Sequence, residues 1–318
     1  MGPKQILTGV ADSLLELTVA PSFSRVGYLA RRRMFDWQPL PGAAGKVVVV
    51  TGATSGLGRA AATELSAHGA LVTIVGRDQR RTEVSADQIA ESTGNKVATV
   101  IADMSDLTGV KAAAEQIATY PRLDALIHNA GALLNEYTQA VGGHEMTFSA
   151  HVLGPHLMTN TLLPLLAATD GSRVITVTSG GMYAEKLNMD AVEMGREGYD
   201  GVRAYARAKR AQVVLNQQWA IRHGQESLFH ATHPGWADTP GVVESLPGFH
   251  KVMGPFLRNP QQGADTMEWL ATSPEPLRSN GLLWLDRAPR PTSKLPWTRT
   301  SDADAAALWE LVDSLALG

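Results

Sequence analysis

Tyr205 and Lys209 stand four residues apart in Tyr205-Ala-Arg-Ala-Lys209, so on a helix they share one face and the ammonium lies near the phenol. A phenol with an ordinary pKa of about 10 is a poor acid–base catalyst at neutral pH. A neighbouring cation stabilises phenolate and is expected to pull that pKa towards the range where a general acid–base works best. Upstream, Thr51-Gly-Ala-Thr-Ser-Gly-Leu-Gly58 sets Gly52, Gly56 and Gly58 between an apolar run and a helical pattern. Glycines so placed permit a tight turn and let the backbone approach a pyrophosphate seated on the helix N-terminus. The spacing is TGxxxGxG, not the GxGxxG of the commonest dinucleotide fingerprint, and alone it is a weak signal. Its value comes from the strand before it and the helix after it.

Those elements are legible. From Lys46 onward, short β-branched runs alternate with helical periodicity. The pattern predicts strands at 46–51, 71–75, 96–101, 124–128, 173–178, 227–232 and 281–285. Helices are predicted at 57–68, 78–92, 105–118, 144–168, 202–223 and 259–271. Gly69 and Gly94 suit helix ends, where a left-handed residue is common. Gly154-Pro155 should bend the 144–168 helix. Near-continuous apolar strands alternating with helices predict an α/β fold, a Rossmann-type doubly wound parallel sheet covered on both faces. The expected organisation is a single domain at 46–290, an N-terminal helical extension and linker at 1–45, and a C-terminal tail at 291–318 carrying a helix over 303–315.

The totals narrow the function. The chain has 318 residues, a net charge of −3 and no cysteine. Nucleic acid is thereby disfavoured as a partner, since no basic excess exists to neutralise phosphates. Disulfides, thiol nucleophiles and cysteine-ligated zinc are excluded, and a reducing cytoplasm is the simplest fit. No run reaches the roughly 18 apolar residues of a spanning helix. In residues 1–37, Lys4, Arg25, Arg31, Arg32 and Arg33 against Asp12, Glu16 and Asp36 give 5 − 3 = +2. Ile6, Val10, Leu14, Leu15 and Val19 recur there at helical spacing. Three readings stay open: packing on the enzyme's own surface or on a sister subunit in a homo-oligomer, a peripheral membrane contact, and disorder.

The end of the second strand bears on the cofactor. NAD sites place an acid there for the ribose 2′-hydroxyl, whereas an arginine accommodates the NADP 2′-phosphate. Here Gly76 stands in the acid's place and Arg77 follows it, with Arg59 adding positive charge. A guanidinium suits a phosphate dianion through paired hydrogen bonds. The reading is NADP(H) in preference to NAD(H).

With Asn129-Ala130-Gly131 after the fourth strand, Ser179 after the fifth and His233-Pro-Gly-Trp-Ala-Asp-Thr239 after the sixth, the chain resembles the short-chain dehydrogenases/reductases. The resemblance covers roughly 46–290. Ser179-Gly-Gly-Met182, the 205 − 179 = 26 residue separation and Gly263-Ala-Asp-Thr-Met267 place it near an orphan subgroup beside the retinol-dehydrogenase-like branch. It implies that Tyr205 is the general acid or base, that Ser179 bonds the substrate oxygen, and that Lys209 holds the ribose hydroxyls. It further implies cofactor contacts from Gly52, Thr54, Ser55, Gly56, Leu57 and Gly58, from Arg77, Asp103 and Met104, and from Asn129, Ala130 and Gly131. Pro234, Gly235, Trp236 and Thr239 would face the nicotinamide amide and pyrophosphate.

The chain departs from the family pattern at two histidines. His128 replaces an Asn that often precedes Asn-Ala-Gly, and His151 stands where the family has a catalytic-tetrad Asn. That Asn acts largely through its backbone carbonyl, which holds a water leading to the lysine, so a His could preserve the chain. Its imidazole could join the relay, being titratable near neutral pH, or be a buried, hydrogen-bonded side chain with no relay role. The other histidines lack metal-ligand spacing, and Ser179 has no GxSxG elbow. Residues 236–258 form an apolar connection with three glycines and three prolines, the pattern of a lid over an apolar carbonyl or alcohol substrate. The reading is an NADP(H)-linked oxidoreductase; the rival is a catalytically silent NADP(H)-binding regulator or scaffold of the same fold.

Overall fold

Three short helices open the chain in the computed structural model, which describes residues 3–318 and all side chains except those of 3–6 and 244. They are α1 (Pro3–Glu16), α2 (Val19–Phe23) and α3 (Arg25–Met34); Lys4 and Ile6 of the sequence pattern lie outside the described side chains. Three strand–helix units and a fourth strand follow, with β1 (Val47–Thr51), α4 (Gly56–Ala67), β2 (Leu71–Gly76), α5 (Gln79–Thr93), β3 (Val97–Ile101), α6 (Leu107–Ala118) and β4 (Ala125–His128). Then come α7 (Met146–Phe148), a π-helical turn at Ser149–Leu153, α8 (Gly154–Ala167), β5 (Arg173–Val177), α9 (Gly201–His223) and β6 (Leu228–Thr232). The chain closes with α10 (Pro240–Ser245), α11 (Pro247–Met253), α12 (Pro260–Thr272), β7 (Leu283–Leu285), β8 (Ala288–Arg290) and α13 (Asp302–Leu317).

The strands form one sheet in the order β3-β2-β1-β4-β5-β6-β7-β8, parallel except for the β7–β8 pair. The four consecutive valines of β1 are fully covered because helices lie on both faces. One core joins the sheet to α6, α8, α9 and α13 through residues such as Ile117, Leu162, Val214 and Leu308. The other joins it to α4, α5 and α12 through Leu65, Ile89, Met267 and Leu270. Successive strands run from β1 out to β3, and β4 returns to the other side of β1. The crevice at the carboxyl ends of β1 and β4 is where such sheets bind ligands.

Two expectations are corrected. The single helix at 144–168 starts later and is interrupted: Glu145 caps it by accepting the Thr147 and Phe148 amides at 2.8 Å, and the π turn inserts an extra residue before Gly154. A Cβ on Gly154 would fall 2.1 Å from the Met104 carbonyl oxygen, so α8 rests on the end of β3 only because none is present. The antiparallel β8 was not anticipated; it is three residues long and holds Pro289, which an edge strand tolerates. The N-terminal segment folds as helices, as the sequence leads one to expect, and Arg31, counted among its bases, is fully buried. Carboxylates of Asp12, Glu16 and Asp286 surround it.

Candidate active site

At the end of β1, Gly52 adopts φ +67° and a Cβ there would fall 2.6 Å from the Ala130 Cα. The Asn129 amide donates to the Thr51 and Gly52 carbonyls at 3.0 and 3.2 Å, while Thr51 Oγ1 accepts the Asn129 and Ala130 amides. Asn-Ala-Gly and the glycine turn are thus one hydrogen-bonded unit. Thr239 caps α10 and brings its methyl within ordinary contact of where a Gly56 side chain would sit. Gly76 admits no side chain, since a Cβ would meet Thr82 Oγ1 at 2.2 Å.

Asp200 caps α9 by accepting the Arg203 amide at 3.0 Å, and the helix carries both Tyr205 and Lys209 as the spacing predicts. Lys209 Nζ lies 5.4 Å from the centre of the Tyr205 ring and donates to the Val177 carbonyl at 2.8 Å. Burial pushes the Lys209 ammonium down to about 7. Burial also pushes the Tyr205 phenol up, and hydrogen bonding with Ser179 pulls it the other way. The expected lowering of Tyr205 by Lys209 is therefore not met here. Ser179 is hydrogen-bonded to Tyr205, which lines the cleft with Lys209 while Ser179 stands outside its lining; the two hydroxyls together can hold an oxygen and exchange its proton.

His151 is completely buried in the π turn. Its Nε2 accepts the Ala132 amide at 3.0 Å, which places the ring proton on Nδ1. Burial, then the Lys209 charge, hold the imidazole well below its ordinary pKa. The His151 carbonyl accepts the Gln212 side-chain amide at 2.8 Å, leaving one lone pair for a second donor. Gly131 must be glycine beneath it, because a Cβ would meet His151 Nε2 at 2.3 Å. Behind the ring lies an interior cavity of about 30 Å³ lined by His128, His151, His156, Gln212 and Asn216. The Nδ1 atoms of the three histidines, Gln212 Oε1 and Asn216 Nδ2 have no hydrogen-bond partner among the described residues. A polar space of that size suits one or two ordered waters.

A cleft of about 460 Å³ runs from Arg77 to Tyr205 and Lys209. Its lining takes in Gly52, Thr54, Ser55, Gly56, Leu57, Arg77, Asp103, Met104, Asn129, Ala130, Gly131, Pro234 and Thr239. Gly58, Gly235 and Trp236 lie outside it: Gly58 packs on Asn129, and Gly235 on Arg258. His151 stands behind the cleft wall. Sequence reasoning missed Arg81, Met146 and Thr147, which also line it. Asp78 capping α5 through the Arg81 amide was the available signal for Arg81, since a capped first turn faces the strand end. An adjoining open hollow of about 550 Å³ adds Arg59 and Arg80. Over the other end, Ser245 of the lid bonds the Leu133 carbonyl at 2.9 Å.

Against known proteins, the short chain dehydrogenase family matches residues 46–247. The chain is 40% identical over 275 residues to human dehydrogenase/reductase SDR family member 12, with 86% of each chain covered. It is 34% identical over 256 residues to human retinol dehydrogenase 14, covering 73% of this chain and 75% of that one. Among solved structures, a short chain dehydrogenase of Shigella flexneri complexed with NADP gives a TM-score of 0.60 at 25% identity, covering 79% of this chain and 100% of that one.

Proposed function

The chain belongs to the short-chain dehydrogenase/reductase family of oxidoreductases, and from that premise we propose that it works with NADP(H) on an apolar carbonyl or alcohol. The observation that carries this reading is Tyr205, bonded to Ser179 and beside Lys209, lining a cleft built on the glycine turn. The residues fit a dinucleotide: the turn at Gly52–Gly58 leaves backbone amides open at the α4 N-terminus, where pyrophosphate is favoured. When bound, the nicotinamide supplies or accepts the hydride at the substrate carbon. Tyr205 then gives the oxygen a proton in reduction and removes one in oxidation, and Ser179 holds that oxygen. Lys209 would bond the ribose hydroxyls, with Asn129 and Gly131 beside it and Asp103 near the adenine. His151, whose Nε2 is committed to Ala132, acts by holding the Gly131–Ala132 backbone and not by titrating.

NADP(H) preference is supported by Gly76, which has no room for a carboxylate, and by Arg77, Arg81 and Arg59 nearby. The apolar substrate is supported by the lid, where Val243, Val252 and Phe256 remain exposed and Trp236 packs on Phe249 at 5.2 Å. The test is an assay of retinoid, steroid and fatty carbonyls with NADPH and NADH, alongside affinities for both cofactors. Turnover with NADPH is expected. Tighter NADH binding would overturn the cofactor choice, and turnover of small polar carbonyls alone would overturn the substrate class. Binding without turnover across the panel would favour the rival reading, a silent cofactor-binding protein, for which the raised Tyr205 pKa speaks.

A lipid surface is the second partner this reading includes. Helix α1 is inside-out: Asp12 and Glu16 turn inward onto arginines, while Leu7, Val10, Leu14 and Leu17 face solvent. Arg25, Arg32 and Arg33 are exposed beside them on α3, the combination that favours anionic headgroups. Among the described residues no helix is long and apolar enough to cross a membrane. Co-sedimentation with phosphatidylserine vesicles but not with neutral ones is expected.

A further inference from the structure

The Pro234–Trp236 turn, whose Pro234 lines the cleft, is fastened by the chain's first helices. The Trp236 amide donates to the Phe23 carbonyl at 2.7 Å. Arg258 donates to the carbonyls of Phe23 and Ser22 at 3.1 Å and of Pro234 at 3.3 Å. Gly235 has φ +76°, and a Cβ there would fall 2.3 Å from Arg258 Nε and 2.6 Å from the Phe23 oxygen. The close approach of these groups therefore demands glycine as much as the turn does.

The Phe23 ring is 3% exposed and stands edge-on to His233 at 4.3 Å and to Trp236 at 5.9 Å. It also closes on the turn after Ser179, where a Cβ on Gly180 would meet Phe23 Cε2 at 2.8 Å. One N-terminal side chain thus touches the turns on both sides of Tyr205. Behind it, Asp286 accepts from Arg258 at 2.6 and 2.9 Å and from Arg31 at 2.7 Å. Arg31 in turn donates to Asp12 at 2.6 Å, Glu16 at 2.9 Å and the Ser22 carbonyl at 3.1 Å.

We propose that Phe23, locked by the Arg31–Asp286–Arg258 cluster, is a positioning residue that holds the 234–236 turn and the Ser179–Gly180 turn in register. Residues 12–31 are then part of the active site, although they precede the stretch that matches the family. The proposal rests on the dinucleotide reading of the cleft. Its physical basis is that a misplacement of about 1 Å in a reacting constellation costs on the order of 100-fold.

Two measurements test it. In the wild-type protein, hydrogen–deuterium exchange is followed with NADP+, with NAD+ and with adenosine 2′,5′-bisphosphate, which lacks the nicotinamide half. Slower exchange at 22–31 is expected with the better-bound dinucleotide and not with the bisphosphate. In Phe23→Ala, NADPH affinity should fall by about tenfold or more while bisphosphate affinity holds within about twofold; Phe23→Leu, which restores bulk, should recover most of the loss. Equal losses for both ligands, or no loss for either, would overturn the proposal by showing a merely structural role or none. If Phe23→Ala does not fold, the wild-type exchange decides alone. Protection of the Gly52–Gly58 turn without protection of 22–31 sinks only this proposal; no protection by any dinucleotide sinks the functional reading and this one with it.

Discussion

Around Arg31, Arg258 and Asp286, buried charges meet opposite charges at 2.6 to 2.9 Å. Around Lys209 and His151, burial is just as deep, but Lys209 Nζ donates to a neutral carbonyl and His151 Nδ1 has no hydrogen-bond partner among the described residues. Opposite charges hold the groups of the first cluster in place. The second pushes pKa values away from their ordinary range, which is what a site that moves protons requires. Depth of burial alone would not separate the two; the bookkeeping of partners does.

The contrast is broken most severely at Asp286. Asp286→Leu strips the counter-charge from two buried guanidiniums, and such losses cost about 3–5 kcal/mol. Urea melts should report it, and a loss below about 1 kcal/mol would mean that the cluster is solvated in solution. On the catalytic side, Tyr205→Phe should lower turnover by about 100-fold, roughly 2.7 kcal/mol, at unchanged cofactor affinity. Parallel losses of turnover and affinity would assign Tyr205 to binding instead.

Acid sharpens the comparison further. Burial pushes His128 down to about 3 and His230 down to about 4, against about 6.5 when unfolded. Each is neutral in the fold, so its contribution to stability is complete above about pH 6.5. It is lost as pH falls towards the folded value, at about 1.4 kcal/mol per pH unit. His128→Asn should flatten the stability profile between about pH 6 and 4 by one such slope; an unaltered slope would mean that His128 is protonated in the fold. The smallest effect belongs to the exposed Arg222–Glu310 pair at 3.4 Å, where Glu310→Gln should change stability by under about 1 kcal/mol.

Much of the sheet could be read from β-branched runs, because a strand covered on both faces has few other compositions open to it. The glycine turn, Asn129-Ala-Gly131 and the Tyr205/Lys209 face were legible for the same reason: each is a local geometric demand on residue type. What escaped was non-local. Nothing local marks Arg31 among the N-terminal bases as buried; its partner Asp286 lies 255 residues away. Spacing places Lys209 beside Tyr205 but says nothing of its desolvation, which depends on the Val177 strand end. The π turn at Ser149–Leu153 was hidden because its residues suit an ordinary helix, and the close approach of Gly154 to Met104 is a tertiary contact that local sequence does not show.

The bond between Arg31 and Asp286 also sets an order of events. A chain made from its amino end exposes α1 to α3 long before the β7–β8 hairpin exists, and Arg31 has no buried carboxylate from Asp286 to meet until then. The nucleotide-binding strands can assemble during synthesis, whereas α1 to α3 can lock down only once Asp286 has been released. Helices made before the sheet settle after most of it.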